Sequence, residues 1–209
     1  MHLNSKAIED ILLWQDNVLA EKNSFALSNP RHSMTSDASG YGWGAVFKGT
    51  PTGGTFSAEE VDIHINVKEL MACDFGLKAL CGSLQDTHLK LLMDNTPAVC
   101  SINKMGSTKS MQLDARATKI WEWAINRDIH LSATHIPGIF NEEADEESRK
   151  GDQSFEWMLD PSVFSKICSL LAFDPEIDLF SSRLNYQIDK FVAFRPDPEA
   201  SHIYAFSLD

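Results

Sequence analysis

Basic residues are scarce in this chain: 18 lysines and arginines are set against 30 aspartates and glutamates, giving a formal net charge of −12 and a sequence pI of about 4.9. That balance excludes a protein that holds polyanions through its overall charge. Cysteine is sparse as well. The four present, Cys73, Cys81, Cys100 and Cys168, form no C-x-x-C pair, which excludes a disulfide framework and a thiolate zinc site. They lie in apolar, helix-like contexts, and buried thiols in a reducing, intracellular compartment are expected. Long apolar runs are missing: the longest, such as Leu170 to Phe173, fall far below the roughly 20 residues that span a bilayer. No charged-then-apolar segment follows Met1, so neither a signal peptide nor membrane insertion is expected. Repeats and low-complexity tracts are also absent.

What is present suffices for a core. A chain of 209 residues that is 43% hydrophobic is most simply one domain with additions. Residues 1–29 read as an N-terminal helix and connector. Ile8, Ile11, Leu12, Val18 and Leu19 recur at helical spacing over 5–20, and Asn29-Pro30 is a turn signal. Residues 30–150 read as the central domain. Residues 151–209 read as an appendage of short apolar pieces separated by prolines, with a helix around Val163 to Leu171 and short strands at Asp178–Phe180 and Phe191–Phe194. Charge is unevenly spread: Lys104, Lys109, Arg116, Lys119 and Arg127 cluster mid-chain, so a local basic face can coexist with an acidic whole.

Within the central domain, a strand from about His32 ends near Asp37, Gly40, Gly42 and Gly44 allow a tight return, and Gly42 to Lys48 forms the second strand. Gly49 to Gly54 reads as a loop before a third strand at Thr55-Phe56. From Asn66 the period becomes helical, through Val67, Leu70, Met71, Asp74 and Leu77 to Gly82. Leu89 to Met93 is a buried strand, Asn95 is an N-cap for a short helix, Ser110 to Asn126 is a longer helix, and His130 to Ile136 is the fifth strand. The order predicts an α/β fold with a mixed five-stranded sheet, three antiparallel strands followed by parallel ones, flanked by helices.

Four acidic residues fall where strand ends or helix starts would carry them together: Asp37, Glu69, Asp94 and Asp145. Carboxylates without histidine or cysteine partners suit Mg²⁺, with Mn²⁺ as its substitute, and four of them can hold two ions for phosphodiester cleavage. Each also has an ordinary reading. Asp37 suits a turn, Glu69 could close a capping box with Asn66, Asp94 could face a helix dipole, and Asp145 sits in an acidic run that could be a solvated face. Spacing alone leaves both readings open.

Thr35-Ser-Asp-Ala-Ser39, Lys68-Glu-Leu-Met-Ala72, Met93-Asp-Asn95 and His135-Ile-Pro-Gly-Ile-Phe-Asn-Glu-Glu-Ala-Asp145 resemble, in order, the motifs of the ribonuclease H domain of reverse-transcribing elements. More narrowly, His64 to Leu70, Asp94-Asn-Thr, Ile102-Asn-Lys-Met-Gly, Ile120-Trp-Glu-Trp and Asp178-Leu-Phe-Ser-Ser-Arg-Leu-Asn185 are similar to the DIRS-like, tyrosine-recombinase-bearing retroelements, in which this domain follows a reverse transcriptase. The resemblance implies a ribonuclease H-like fold and an endonuclease that hydrolyses the RNA strand of RNA–DNA hybrids. It implies Asp37, Glu69, Asp94 and Asp145 as ligands of two Mg²⁺ ions, and His135 as an aid to proton transfer or product release. The chain departs from the pattern at Ala144-Asp-Glu-Glu-Ser-Arg149, where the family commonly has Ala-Asp-x-Leu-Ser-Arg, placing an extra acid beside the expected site. Nothing in the sequence resembles a polymerase palm.

A histidine ordinarily titrates near neutral pH and suits proton movement. Ser39 and Asn95 flank two of the acids and could read a 2′-hydroxyl, and Lys104 and Lys109 could take phosphates. Trp121 lies on the apolar stripe of its helix and reads as core, whereas Trp123 could stack on a base. The expected partners are an RNA–DNA hybrid and a reverse transcriptase or other retroelement protein. Two alternatives remain: a catalytically silent retroelement-derived binding or scaffolding module, and another nuclease of the same fold acting on DNA.

Overall fold

A computed structural model describes residue 3 and residues 5–18, 29–150 and 157–207. The expected helical positions at Leu19 and residue 20, the connector over 21–28 and the Gly151-Asp-Gln-Ser stretch lie outside these residues. Among the described residues, α-helices run α1 (Ser5–Asn17), α2 (Ala58–Val61), α3 (Ile65–Cys81), α4 (Thr96–Asn103), α5 (Met111–Ile125), α6 (Glu142–Lys150) and α7 (Pro161–Leu171). The central sheet comprises β1 (His32–Ala38), β2 (Gly42–Phe47), β3 (Thr50–Thr55), β4 (Thr87–Met93) and β5 (Ile129–His135) in the order β3-β2-β1-β4-β5. β2 runs antiparallel to both β1 and β3, while β4 pairs parallel with β1 and β5. This is the mixed sheet of the ribonuclease H fold that the motifs imply.

One face of the sheet buries Met34, Leu89, Leu91 and Met93 against Leu70 and Leu77 of α3 and Ile120 and Trp121 of α5. Each such side chain contributes about 1.5–3 kcal/mol of transfer free energy. The other face receives α6, which packs across β1, β2 and β3. Trp121 and Trp123 are both buried, the former donating its indole N–H to Ile102 O at 2.9 Å, so neither is a free stacking platform.

The third strand corrects the expected loop over Gly49 to Gly54. Pro51 and two glycines read as a loop, yet β3 is an edge strand, where a missing N–H can face away from the ladder. Its glycines are needed for close approach: a Cβ on Gly53 would lie 2.6 Å from Trp43 O and 3.0 Å from Glu147 O. Gly42 and Gly44 follow the same logic, since a Cβ on either would run into the α6 backbone at Ser148 or Ala144. These glycines serve the seating of a helix rather than the turn. The turn itself is closed by Ser39, whose Oγ accepts from the Gly42 N–H at 2.9 Å.

Cys73 and Cys81 are buried as expected, but Cys100 is exposed on the outer side of α4 and Cys168 is half-buried. α1 forms where its apolar spacing predicts, with Ile11, Leu12, Leu13 and Trp14 exposed. No helix among the described residues is long and apolar enough to cross a membrane.

The C-terminal stretch is fastened to the edge of the sheet. α7 starts behind Asp160, which caps the Ser162 and Val163 N–H groups. Further on, the expected strands shorten to a bridge between Asp178 and Phe191 and a parallel pair, β6 (Val192–Ala193) with β7 (His202–Ile203). Arg183 reaches β3, α2 and α3, donating to Thr55 O at 2.7 Å and to Glu60 Oε2 at 2.7 Å, with its guanidinium 4.5 Å from the Phe75 ring centroid. Thr52 donates to Pro196 O, and Arg195 reaches Glu147 at 2.9 Å.

Candidate metal centre

Because β1, β4 and β5 are parallel, their carboxyl ends meet at one edge of the sheet, where open α/β sheets commonly hold their ligands. Asp37 lies near the end of β1, Asp94 directly follows Met93 of β4, and His135 ends β5 opposite Met93. α3 begins at the same edge and presents Glu69 from its second turn. Ligand oxygens of Asp37, Glu69 and Asp94 all lie within 4.8 Å of one another.

Glu69 does not cap its helix. The N-cap is His64, whose Nδ1 accepts from the Asn66 N–H at 3.2 Å, so the capping box that Asn66 and Glu69 could have closed is not formed. A capping box does exist one helix earlier, between Ser57 and Glu60. Glu69 is buried, and its Oε2 makes no hydrogen bond among the described residues. Burial, with the nearby charges of Asp37 and Asp94, pushes its carboxyl up to about 9. A buried carboxylate oxygen without a donor, beside two more carboxylates, is costly unless a proton or a cation compensates it.

Asp37 is likewise buried. Burial raises its carboxyl above the ordinary range, the Ser148 hydroxyl opposes that rise, and the charges of Asp94 and Asp145 add to it. Ser148 Oγ donates to Asp37 Oδ2 at 2.7 Å and also lies 2.9 Å from Asp145 O. α6 is further pinned to β1 by Asn141, whose Nδ2 donates to Ser36 O at 3.0 Å.

The fourth acid is placed differently. Asp145 opens α6 close enough for its charge to act on Asp37, yet it is not one of the three that converge. Its Oδ1 accepts from Arg149 Nε at 2.7 Å and Nη2 at 2.6 Å. The extra acid expected beside the site, Glu147, turns the other way: it is buried toward β2 and β3 and paired with Lys150 and Arg195. Burial raises its carboxyl, but these partners override that and hold it below the ordinary range.

His135 is exposed at the rim. The loop after it closes on Asp94, since a Cβ on Gly138 would lie 3.3 Å from Asp94 Oδ2. Asn95 caps α4 through the Ala98 N–H at 3.0 Å and donates to Asn66 Oδ1 at 3.1 Å, bridging two helix starts beside the acids. Ser39 is already engaged: its hydroxyl donates to Ser148 O at 2.7 Å. Lys104 and Lys109 are exposed on the connection between α4 and α5.

Three residues within the motifs, to which the resemblance assigns no role, matter in the structure. Ser148 and Arg149 each engage a candidate ligand directly. Lys68, beside Glu69, is buried and donates to Gly40 O at 2.6 Å and to Val61 O, tying α3 to the β1–β2 turn. A polar residue adjoining a buried acid was the available signal.

No protein-family model matches the chain, and no curated protein matches it. Solved structures similar to it include ribonuclease H1 from the halophilic archaeon Halobacterium salinarum NRC-1, at 20% identity over 59% of this chain and 98% of that one, with a TM-score of 0.48. LC11 ribonuclease H1 in complex with an RNA/DNA hybrid is 23% identical over 56% of this chain and 93% of that one, with a TM-score of 0.48. The foamy viral protease–reverse transcriptase in complex with an RNA/DNA hybrid is 11% identical over 73% of this chain and 27% of that one, with a TM-score of 0.44.

Proposed function

We propose that the chain is a metal-dependent endonuclease that hydrolyses the RNA strand of RNA–DNA hybrids and descends from a DIRS-like retroelement polyprotein. The observation that carries this reading is the convergence of Asp37, Glu69 and Asp94 within 4.8 Å, with a buried Glu69 oxygen lacking a donor among the described residues. An all-carboxylate donor set fits Mg²⁺ or Mn²⁺. Asp37, Glu69 and Asp94 would hold the first ion, and Asp145 would join them for a second. A pair of such ions, when bound, would supply an activated water and stabilise the leaving oxygen in phosphodiester cleavage.

The remaining residues orient substrate and move protons. His135, on the exposed rim, exchanges a proton with the departing product. Asn95 offers its amide to the minor groove, where a 2′-hydroxyl distinguishes RNA from DNA. Lys104 and Lys109 take phosphates from the α4–α5 connection. Ser39 acts by setting the turn that carries Asp37. The division into an N-terminal helix, a central domain over 30–150 and a C-terminal appendage, the intracellular setting and a reverse transcriptase partner belong to the same proposal.

The test is cleavage of a labelled hybrid by the purified chain in Mg²⁺. Fragments are expected from the wild type and none from Asp94→Asn; equal cleavage by the variant would reject the assignment. The net charge of −12 favours a second reading, a catalytically silent module that binds protein rather than nucleic acid. A folded chain that takes up no metal and leaves the hybrid intact would support it, and cleavage of duplex or branched DNA in preference to hybrid would point to another nuclease of this fold.

A further inference from the structure

We propose that Arg149 is a positioning residue that holds Asp145 apart from the other three acids, so that a first divalent ion enters among Asp37, Glu69 and Asp94 and a second must take Asp145 from the guanidinium. The inference deepens the metal-dependent reading above and rests on it. Both Arg149 contacts, from Nε at 2.7 Å and Nη2 at 2.6 Å, fall on one oxygen, Asp145 Oδ1. The two residues are one helical turn apart, the spacing at which an acid and a following base pair on a helix.

The backbone beneath this pair is fixed, so the exchange needs only side chains to move. Asp145 N–H donates to Asn141 O at 2.9 Å, Asn141 is bonded to β1, and Ser148 Oγ bridges Asp145 O and Asp37 Oδ2. Exposure separates the two halves of the site. Asp37 and Glu69 are 5% and 4% exposed, whereas the side chains of Asp145 and Arg149 are 39% and 70% exposed. The buried acids are therefore preset, and the solvated pair can open at small cost. On yielding Asp145 to an ion of higher charge, Arg149 would keep its guanidinium beside the site. There its planar fork is suited to a phosphate of the bound strand.

The test reads metal binding on the whole chain without nucleic acid, by calorimetric titration with Mn²⁺ and by Mn²⁺ paramagnetic resonance. The wild type should show a tighter and a weaker event. Arg149→Gln, which keeps the side chain's length and helix propensity, should tighten the weaker event by about two- to fivefold, the factor an exposed ion pair is worth. The tighter event should not change. Arg149→Lys should fall between the two, and Asp145→Asn should remove the weaker event alone. A weaker event that is unchanged or lost in Arg149→Gln, or a single event in both proteins, would overturn the proposal. No hybrid is present, so the outcome is independent of cleavage: ordered binding without cleavage counts against the nuclease reading only, and cleavage with unchanged Mn²⁺ affinities counts against this inference only.

Discussion

Ser148 Oγ lies 2.7 Å from Asp37 Oδ2, joining the first strand of the sheet to the helix that carries the fourth acid, 111 positions later in the chain. A hydroxyl that donates to a buried carboxylate contributes about 1.5–3 kcal/mol. Ser148→Ala should destabilise the metal-free protein by that amount in urea unfolding and weaken its Mn²⁺ binding. An unfolding midpoint equal to the wild type would show that the bond does not hold the two elements together.

The pH dependence of stability follows from Glu69. Its carboxyl moves from its ordinary 4.5 to about 9 on folding. Below 4.5 both the folded and unfolded chains keep this proton, and the full contribution to stability is present. As the pH rises through the window between those values, the unfolded chain releases the proton while the fold retains it, and stability falls. In EDTA, melting temperature should therefore decline across this range, and Glu69→Gln should flatten the decline and melt above the wild type at its alkaline end. Mg²⁺ should restore the wild type more at alkaline than at acidic pH. Parallel melting curves for the two proteins would contradict the burial of this charge.

The grip on the C-terminal stretch rests on Arg183, whose side chain is 8% exposed against 18% for Glu60. Removing one partner of a buried pair costs about 3–5 kcal/mol. Arg183→Ala should release residues 157–207 to limited proteolysis while residues 30–150 persist. Burial raises the Glu60 carboxyl, but its bonds to Arg183 and the Ser57 backbone leave it below the ordinary 4.5. The pairing contributes fully above that value and is lost as pH falls through the depressed one, so acid should mimic the variant. Equal protease resistance would show that the segment is held by other contacts.

Much of this architecture is legible in local pattern. β2 and β4 announce themselves by their bulk, and the acids sit at element ends, of which the sheet edge gathers Asp37, Glu69 and Asp94. Contacts between distant segments are not legible in that way. Gly42, Gly44 and Gly53 read as turn residues because the helix that needs their bareness lies about a hundred positions downstream. Pro51 reads as a loop signal because nothing local marks β3 as an edge. Asn66 is a better N-cap by type than His64, yet the chain enters α3 two residues earlier. Arg183 gives no sign that Glu60, 123 positions away, is its partner. The tethering of Asp145 by Arg149 follows from helical spacing but was hidden by the acidic run around it.

The close approach of α6 supplies a steric prediction. A methyl group at Gly44 meets the α6 backbone at Ala144 and Ser148, and overpacking of this kind costs about 1–3 kcal/mol or more. Gly44→Ala should shift α6, carrying Asp145 and Ser148 away from Asp37, and reduce hybrid cleavage at least tenfold in protein that remains folded by circular dichroism. Gly40→Ala, at a position with open space, is the control and should cleave as the wild type does.

The most direct measurement is a crystal structure with Mn²⁺, read by anomalous scattering at the manganese edge. A peak coordinated by Asp37, Glu69 and Asp94 is the predicted result, with any second peak adjoining Asp145. Well-ordered carboxylates with no anomalous density among them at millimolar Mn²⁺ would contradict the account.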